Sequence, residues 1–174
     1  MKSSNPAFSR SLSEYYMIAC RFLSEEAKIL DERSFDKWME MVDDEIQYEI
    51  PIIVSKNNLQ DETAGGGHRI NDNKARLRVR VDRLKSGHAW SETPPSRTVR
   101  IVGSILANPI GDGRTLDVES SLLLYRQRGD SGPGDVIPVR RYDVLRVADD
   151  VTLLKRRVIF ADTSLRTPNL GIFL

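Results

Sequence analysis

The stretch RTVRIVGSILANPIGDGRTLDVESSLLLYR, residues 97–126, decides what kind of fold this chain makes. Val99, Ile101 and Ile105 mark its first half, and Leu116, Val118, Leu122 and Leu124 its second, with polar or small residues between them. That spacing is the signature of strands, whose side chains alternate between two faces. Asp112-Gly113 lies between the halves, where a tight hairpin reverses the chain. The pattern carries on downstream. Val136, Val139 and Leu145 follow RQRGDSGPGD (126–135), and Val151, Leu153, Val158 and Phe160 follow a second reversal at Asp149-Asp150. Four apolar-rich strands in succession predict a meandering antiparallel sheet.

Upstream the period changes. In SLSEYYMIACRFLSEEAKILDE (11–32), Ser11 followed by Glu14 makes a capping box, and Leu12, Tyr15, Tyr16, Ala19, Phe22 and Leu23 recur at helical spacing. Cys20 falls in this helix and reads as a small buried hydrophobe in preference to a reactive thiol. Ser34 can cap a shorter helix that turns Phe35, Trp38, Met39 and Val42 inward. EIQYEIPIIV (45–54) then alternates Ile46, Tyr48, Ile50 and Ile52 on one face, a strand whose Pro51 signals an edge or a bend. The polar, glycine-rich residues 55–72 read as a long surface loop, and residues 1–10 as a flexible arm. Gly65, Gly66 and Gly67 lack the following lysine and Ser/Thr of a phosphate loop.

NDNKARLRVRVDRLKSG (71–87) fits both periods, because Leu77, Val79 and Val81 alternate while Leu77, Val81 and Leu84 lie on one helical face. The asparagines before it and Gly87 after it are helix punctuation, and a third helix is the reading adopted. Its Arg76, Arg78, Arg80, Arg83 and Lys85 spread around the exposed faces with no aromatic residues between them for base stacking, so no nucleic-acid partner is expected. Helices followed by a meander predict one α+β domain spanning 1–174, about three N-terminal helices gathered on one face of a curved, mostly antiparallel sheet.

Composition narrows the chemistry. Twenty-six basic residues against twenty-five acidic ones leave a net charge of +1, so no global field draws the chain to nucleic acid or to an anionic membrane. The first residues lack the apolar core of a secretion signal, and no run approaches the roughly 18 apolar residues of a span, so a cytoplasmic location is expected. One cysteine, Cys20, cannot supply an internal disulfide, a cysteine-type zinc site or the ligands of a Rieske cluster. Non-haem iron would need both histidines, His68 and His88, to converge with a carboxylate. The stretch GHAWSETPPSRTVR (87–100) offers a base (His88), an acid (Glu92), an aromatic wall (Trp90) and an anion binder (Arg97). Its two prolines stiffen the chain before a strand, and tryptophan and arginine are enriched as interface anchors, so a rigid turn at a subunit contact is favoured over a catalytic pair.

Colinear blocks carry a family resemblance. FLSEEAKILDERSFDKWMEMVDDEIQYEIP (22–51), RLKSGHAWSETPPSRTVR (83–100), RRYDVLRV (140–147), LLKRRVIFAD (153–162) and NLGIFL (169–174) resemble the small, or beta, subunit of bacterial aromatic-ring-hydroxylating dioxygenases. The glycine-rich loop at 64–67 and the long RQRGDSGPGD connection depart from the usual pattern. The resemblance implies an NTF2-like cone that has no catalytic, cofactor or metal residues of its own. It implies a scaffold for large alpha subunits bearing a Rieske [2Fe-2S] cluster and mononuclear non-haem iron, in an α3β3 hexamer with a beta trimer, fed by a reductase, directly or through a ferredoxin. The complex would cis-dihydroxylate an aromatic substrate with O2.

Trp90, Arg97, Arg100 and Phe173 are the residues expected at subunit contacts. Ile172, Phe173 and Leu174 are expected to dock against the sheet or a neighbouring subunit. Two rival readings use the cone's cavity: a dehydratase, isomerase or cyclase working through Tyr48, His88 or Asp31, and a ligand-binding module that needs only the space.

Overall fold

The computed structural model describes residues 10–54, 62–63, 65–86, 94–129, 133–162 and 172–174. Helix α1 (Leu12–Asp31) starts at the predicted capping box: Glu14 N–H donates to Ser11 Oγ, and the Glu14 carboxylate takes the Ser11 N–H in return. It buries Tyr15, Ala19, Phe22, Leu23, Glu26, Ala27 and Leu30. Leu12 and Tyr16, expected on that stripe, are 67% and 45% exposed. Tyr16 is turned about 100° around the axis from Tyr15, and Leu12 occupies the first turn. Cys20 is half-buried.

Helix α2 (Phe35–Met41) buries Trp38 and Met39, but Ser34 makes no side-chain cap; its carbonyl accepts the Trp38 N–H instead. Strand β1 (Val42–Pro51) turns Ile46, Tyr48 and Ile50 into the core, whereas Ile52, placed on the same face by the sequence, lies beyond the strand and is 42% exposed. Pro51 does not mark an edge. β1 is flanked on both sides, and the proline falls at a register shift, where a missing N–H costs no ladder bond.

The expected loop over 55–72 ends earlier than composition implied, because His68–Asp72 form strand β2, antiparallel to β1, with Ile70 opposite Ile50 and buried. One apolar residue in a polar, glycine-rich setting was too little signal for a strand. Helix α3 (Lys74–Lys85) settles the ambiguous segment: Asn73 Oδ1 caps it by accepting the Arg76 N–H at 3.0 Å, and Leu77 and Val81 are buried while Val79 is exposed. Arg78 and Lys85 both reach Asp36, fastening α3 to α2.

Strands β3 (Arg97–Ile110), β4 (Thr115–Gln127), β5 (Asp135–Val147) and β6 (Val151–Phe160) form the predicted meander. The hairpin at Asp112-Gly113 is in place, with Gly113 at φ +79° and Asp112 Oδ1 accepting the Arg114 N–H. The sheet order is β2-β1-β6-β5-β4-β3; β1 runs parallel to β6 and every other neighbour is antiparallel. All three helices lie on one side, with α1 across β3, and the core fills the space between.

Candidate functional site: a charged interior and an apolar outer face

The inner face of the sheet carries charge where a core is normally apolar. Glu26 of α1, Arg141 and Asp143 of β5 and Arg156 of β6 are each 2% exposed or less. Arg156 bridges the two acids: Nη1 and Nη2 donate to Glu26 at 2.7 and 2.8 Å, and Nε and Nη2 donate to Asp143 at 2.9 and 2.7 Å. Glu26 also accepts from Trp38 Nε1 at 3.0 Å and from Arg141 Nη1 at 3.4 Å, while Arg141 Nε reaches Ser120 Oγ. Two guanidiniums and two carboxylates cancel, so the cluster buries hydrogen-bonded ion pairs and no net charge.

The cluster is not tuned for acid–base work near neutrality. Burial pushes the Glu26 carboxyl up, but Arg156 and Arg141 outweigh it and hold the group below the usual carboxylate range. Burial would lower Arg156, yet Asp143 and Glu26 raise it well above its ordinary value. Burial raises the Tyr48 hydroxyl. A general acid or base works best with a pKa near the operating pH, and all three groups move away from it. Tyr48, 1% exposed, is moreover engaged with Leu174, and Asp31 accepts from Thr98 Oγ1, the Arg100 N–H and the Arg100 guanidinium. Both groups named for the rival enzyme hold structure together; His88 lies outside the described residues.

The four expected contact residues separate. Arg97 is exposed at the start of β3. Arg100 is not available to a partner, because its side chain is 3% exposed, paired with Asp31, and donates to the Phe173 carbonyl at 2.6 Å. Phe173 is likewise consumed within the chain: its ring, 4% exposed, stacks on Trp38 at 4.2 Å and meets Phe35 edge-on at 6.0 Å. The sequence showed only that both were a cation and an aromatic near expected contacts; their partners are about seventy or more residues away. Trp90 lies outside the described residues. No three His, Cys, Asp or Glu side chains converge as metal ligands among the described residues; one cysteine is too few for an iron–sulfur cluster, and an iron triad would need His68 together with His88, which lies outside the described residues.

The outer face holds what sequence reasoning missed. Val99, Tyr125 and Val136 lie side by side across β3, β4 and β5, and Ile101, Leu123 and Pro138 form the next row. Val99, Ile101, Leu123, Tyr125 and Val136 are 40–64% exposed. Val99, Ile101 and Ile105 had been read together, but a bulge between Gly103 and Leu106, with Ser104 at φ 50°, reverses the parity of β3. Ile105 therefore packs on the core while Val99 and Ile101 face out. Beside this patch, Asp117, Arg140, Tyr142, Lys155 and Arg157 line an open groove of about 950 Å3.

Residues 25–167 match the model of the ring hydroxylating beta subunit family. The chain is 47% identical over 158 residues to the N,N-dimethyl phenylurea N-demethylase subunit beta of Sphingobium sp. (strain YBL2), covering 90% of each. Among solved structures it resembles naphthalene 1,2-dioxygenase with indole bound in the active site, at a TM-score of 0.81 and 26% identity over 96% of this chain and 89% of that one. The beta subunit of benzoate 1,2-dioxygenase from Burkholderia mallei shares the fold at a TM-score of 0.71 and 16% identity, covering 95% and 99%. An NTF2-like arrangement of helices on a mostly antiparallel sheet is thus the shared architecture. This chain belongs to the family of ring-hydroxylating dioxygenase beta subunits.

Proposed function

We propose that this beta subunit is the scaffold of a terminal oxygenase, holding iron-bearing alpha subunits in an α3β3 hexamer through a beta trimer. The two-row apolar patch on the outward face of β3, β4 and β5 carries the proposal, because a monomer has no use for five exposed large side chains in adjoining rows. Arg97, exposed at the near end of β3, belongs to the same contact region, and Trp90 is retained as a subunit contact on its residue type alone. The alpha subunits supply the mononuclear non-haem iron and the Rieske [2Fe-2S] cluster, for which this chain's single cysteine is too few, and a reductase, with or without a ferredoxin, supplies electrons. The assembly works in the bacterial cytoplasm; no described helix is long and apolar enough to cross a membrane.

The reaction is O2-dependent oxidation of an aromatic compound, cis-dihydroxylation in the first reading. One observation favours a second: the 47% identical relative is an N-demethylase subunit for an N,N-dimethyl phenylurea, so removal of an N-methyl group is the alternative outcome. The test is purification of the chain alone and with its co-expressed alpha subunit. Alone it should bind no stoichiometric iron and consume no O2; together the two should co-elute as a hexamer that oxidises an aromatic substrate. Iron bound by the lone chain, or failure to co-elute, would overturn the proposal.

A further inference from the structure

Residues 172–174 are held by recognition of their backbone as much as by apolar burial. The Phe173 carbonyl accepts from Arg100 Nη2 at 2.6 Å. The Leu174 carbonyl accepts from Tyr48 Oη and from Arg156 Nη1, each at 3.0 Å, and the Leu174 N–H donates to the same Tyr48 oxygen at 3.0 Å. The Phe173 ring fills a slot between Trp38, stacked at 4.2 Å and 30°, and Phe35, edge-on at 67°. The polar anchors come from three strands, β1, β3 and β6, and the ring slot from α2. Tyr48 is 1% and Arg156 0% exposed, and the Arg100 side chain 3%.

A segment that only covered a core would need apolar side chains and nothing else. Here three buried polar side chains direct donors and acceptors at the Phe173–Leu174 peptide group and at the Leu174 carbonyl oxygen, at a desolvation cost that such bonds must offset. The geometry points to a binding site for a short peptide of the form apolar–Phe–apolar, which the chain fills with its own residues 172–174. Because the site reads backbone atoms and one ring, a separate peptide with that motif is a competent ligand when the in-cis segment is weakened. The inference is independent of the scaffold proposal, which rests on the opposite face of the sheet.

The experiment uses the full-length chain carrying Phe173→Ala and the synthetic hexapeptide Asn-Leu-Gly-Ile-Phe-Leu, identical to residues 169–174. The substitution should lower Tm by about 10 °C. The peptide should restore at least half of that loss and bind with a Kd on the order of micromolar by calorimetry, while a control peptide with Ala for Phe does neither. A Tm equal to that of the unsubstituted chain, or a destabilised variant that the peptide leaves unchanged, overturns the site. Should the variant not fold, Tyr48→Phe keeps the ring and removes the hydroxyl that grips Leu174. Hydrogen exchange at the Leu174 amide should then accelerate roughly tenfold or more over the unsubstituted chain, and an unchanged rate overturns the site equally.

Discussion

Arg140 and Arg141 are neighbours in the chain and opposites in environment. Arg141 points into the core and is 2% exposed, bonded to Glu26 and Ser120; Arg140 lines the open groove on the other side of the same strand. The contrast extends across the sheet. The inner face buries the Glu26–Arg141–Asp143–Arg156 cluster, whose charges pair with one another, and the outer face displays large apolar side chains that stay exposed among the described residues. Charge inside and hydrophobe outside inverts the simple rule, and each half of the inversion has its own cause. Buried charge persists where geometry is bidentate and internal; exposed apolar rows persist where another surface removes them from water.

The comparison can be broken most severely from the inside. Replacing Arg156 by Met strands Glu26 and Asp143 in the core without their shared guanidinium, and should cost about 3–5 kcal/mol by urea unfolding. A loss below about 1 kcal/mol would mean that the cluster relaxes into water and does not order the interior.

Breaking the outer face should leave the fold alone. Leu123→Asp places a carboxylate in the middle of the patch, and should weaken subunit association by about 2 kcal/mol or more, roughly 30-fold in Kd by sedimentation. Unfolding of the isolated variant should stay within about 0.5 kcal/mol of the unsubstituted chain. Intact hexamers at low micromolar concentration would move the contact elsewhere.

The smallest effect is the acid limb. Glu26 is held below its ordinary value of 4.5 in the folded chain, so its contribution is complete above that value and disappears as pH falls through the lowered folded pKa. Asp43 behaves alike: burial raises it, but the Glu45 N–H, Thr152 and Arg146 prevail and lower it from 3.8. Stability measured from pH 7 down to pH 3 should therefore decline through the acid range, and Glu26→Gln should start lower at pH 7 and decline less steeply. Parallel curves for the two proteins would remove Glu26 from the acid response.

Much of this was legible in one dimension. The Ser11–Glu14 box, the Asn73 cap and the Asp112-Gly113 reversal are local chemistry, in which a side chain bonds backbone three residues away or a glycine takes positive φ, and each is found where the spacing placed it. The family was legible too, from five blocks spread over the chain. The charged cluster was not. Glu26 meets Arg141 and Arg156 across 115 and 130 residues, and nothing in SEEAK or RRYD marks one charge as buried and its neighbour as exposed. Strand β2 was invisible because five residues with a single buried hydrophobe carry almost no periodic signal.

By itself, then, the sequence determined the order of the helices and of every strand but β2, the reversals of the meander and a cysteine count too low for a Rieske cluster, because each depends on residue type or on the backbone's short repeat. Tertiary structure alone decided which way each strand faces. A bulge at Gly103–Leu106 is enough to turn Ile105 inward while Val99 and Ile101 face outward, and the parallel pairing of β1 with β6 brings Tyr48 opposite Arg156, where both can hold Leu174. Side-chain parity in a sheet changes with a shift of one residue, and registry between distant strands is set by the packing of the whole core, so no local pattern contains it.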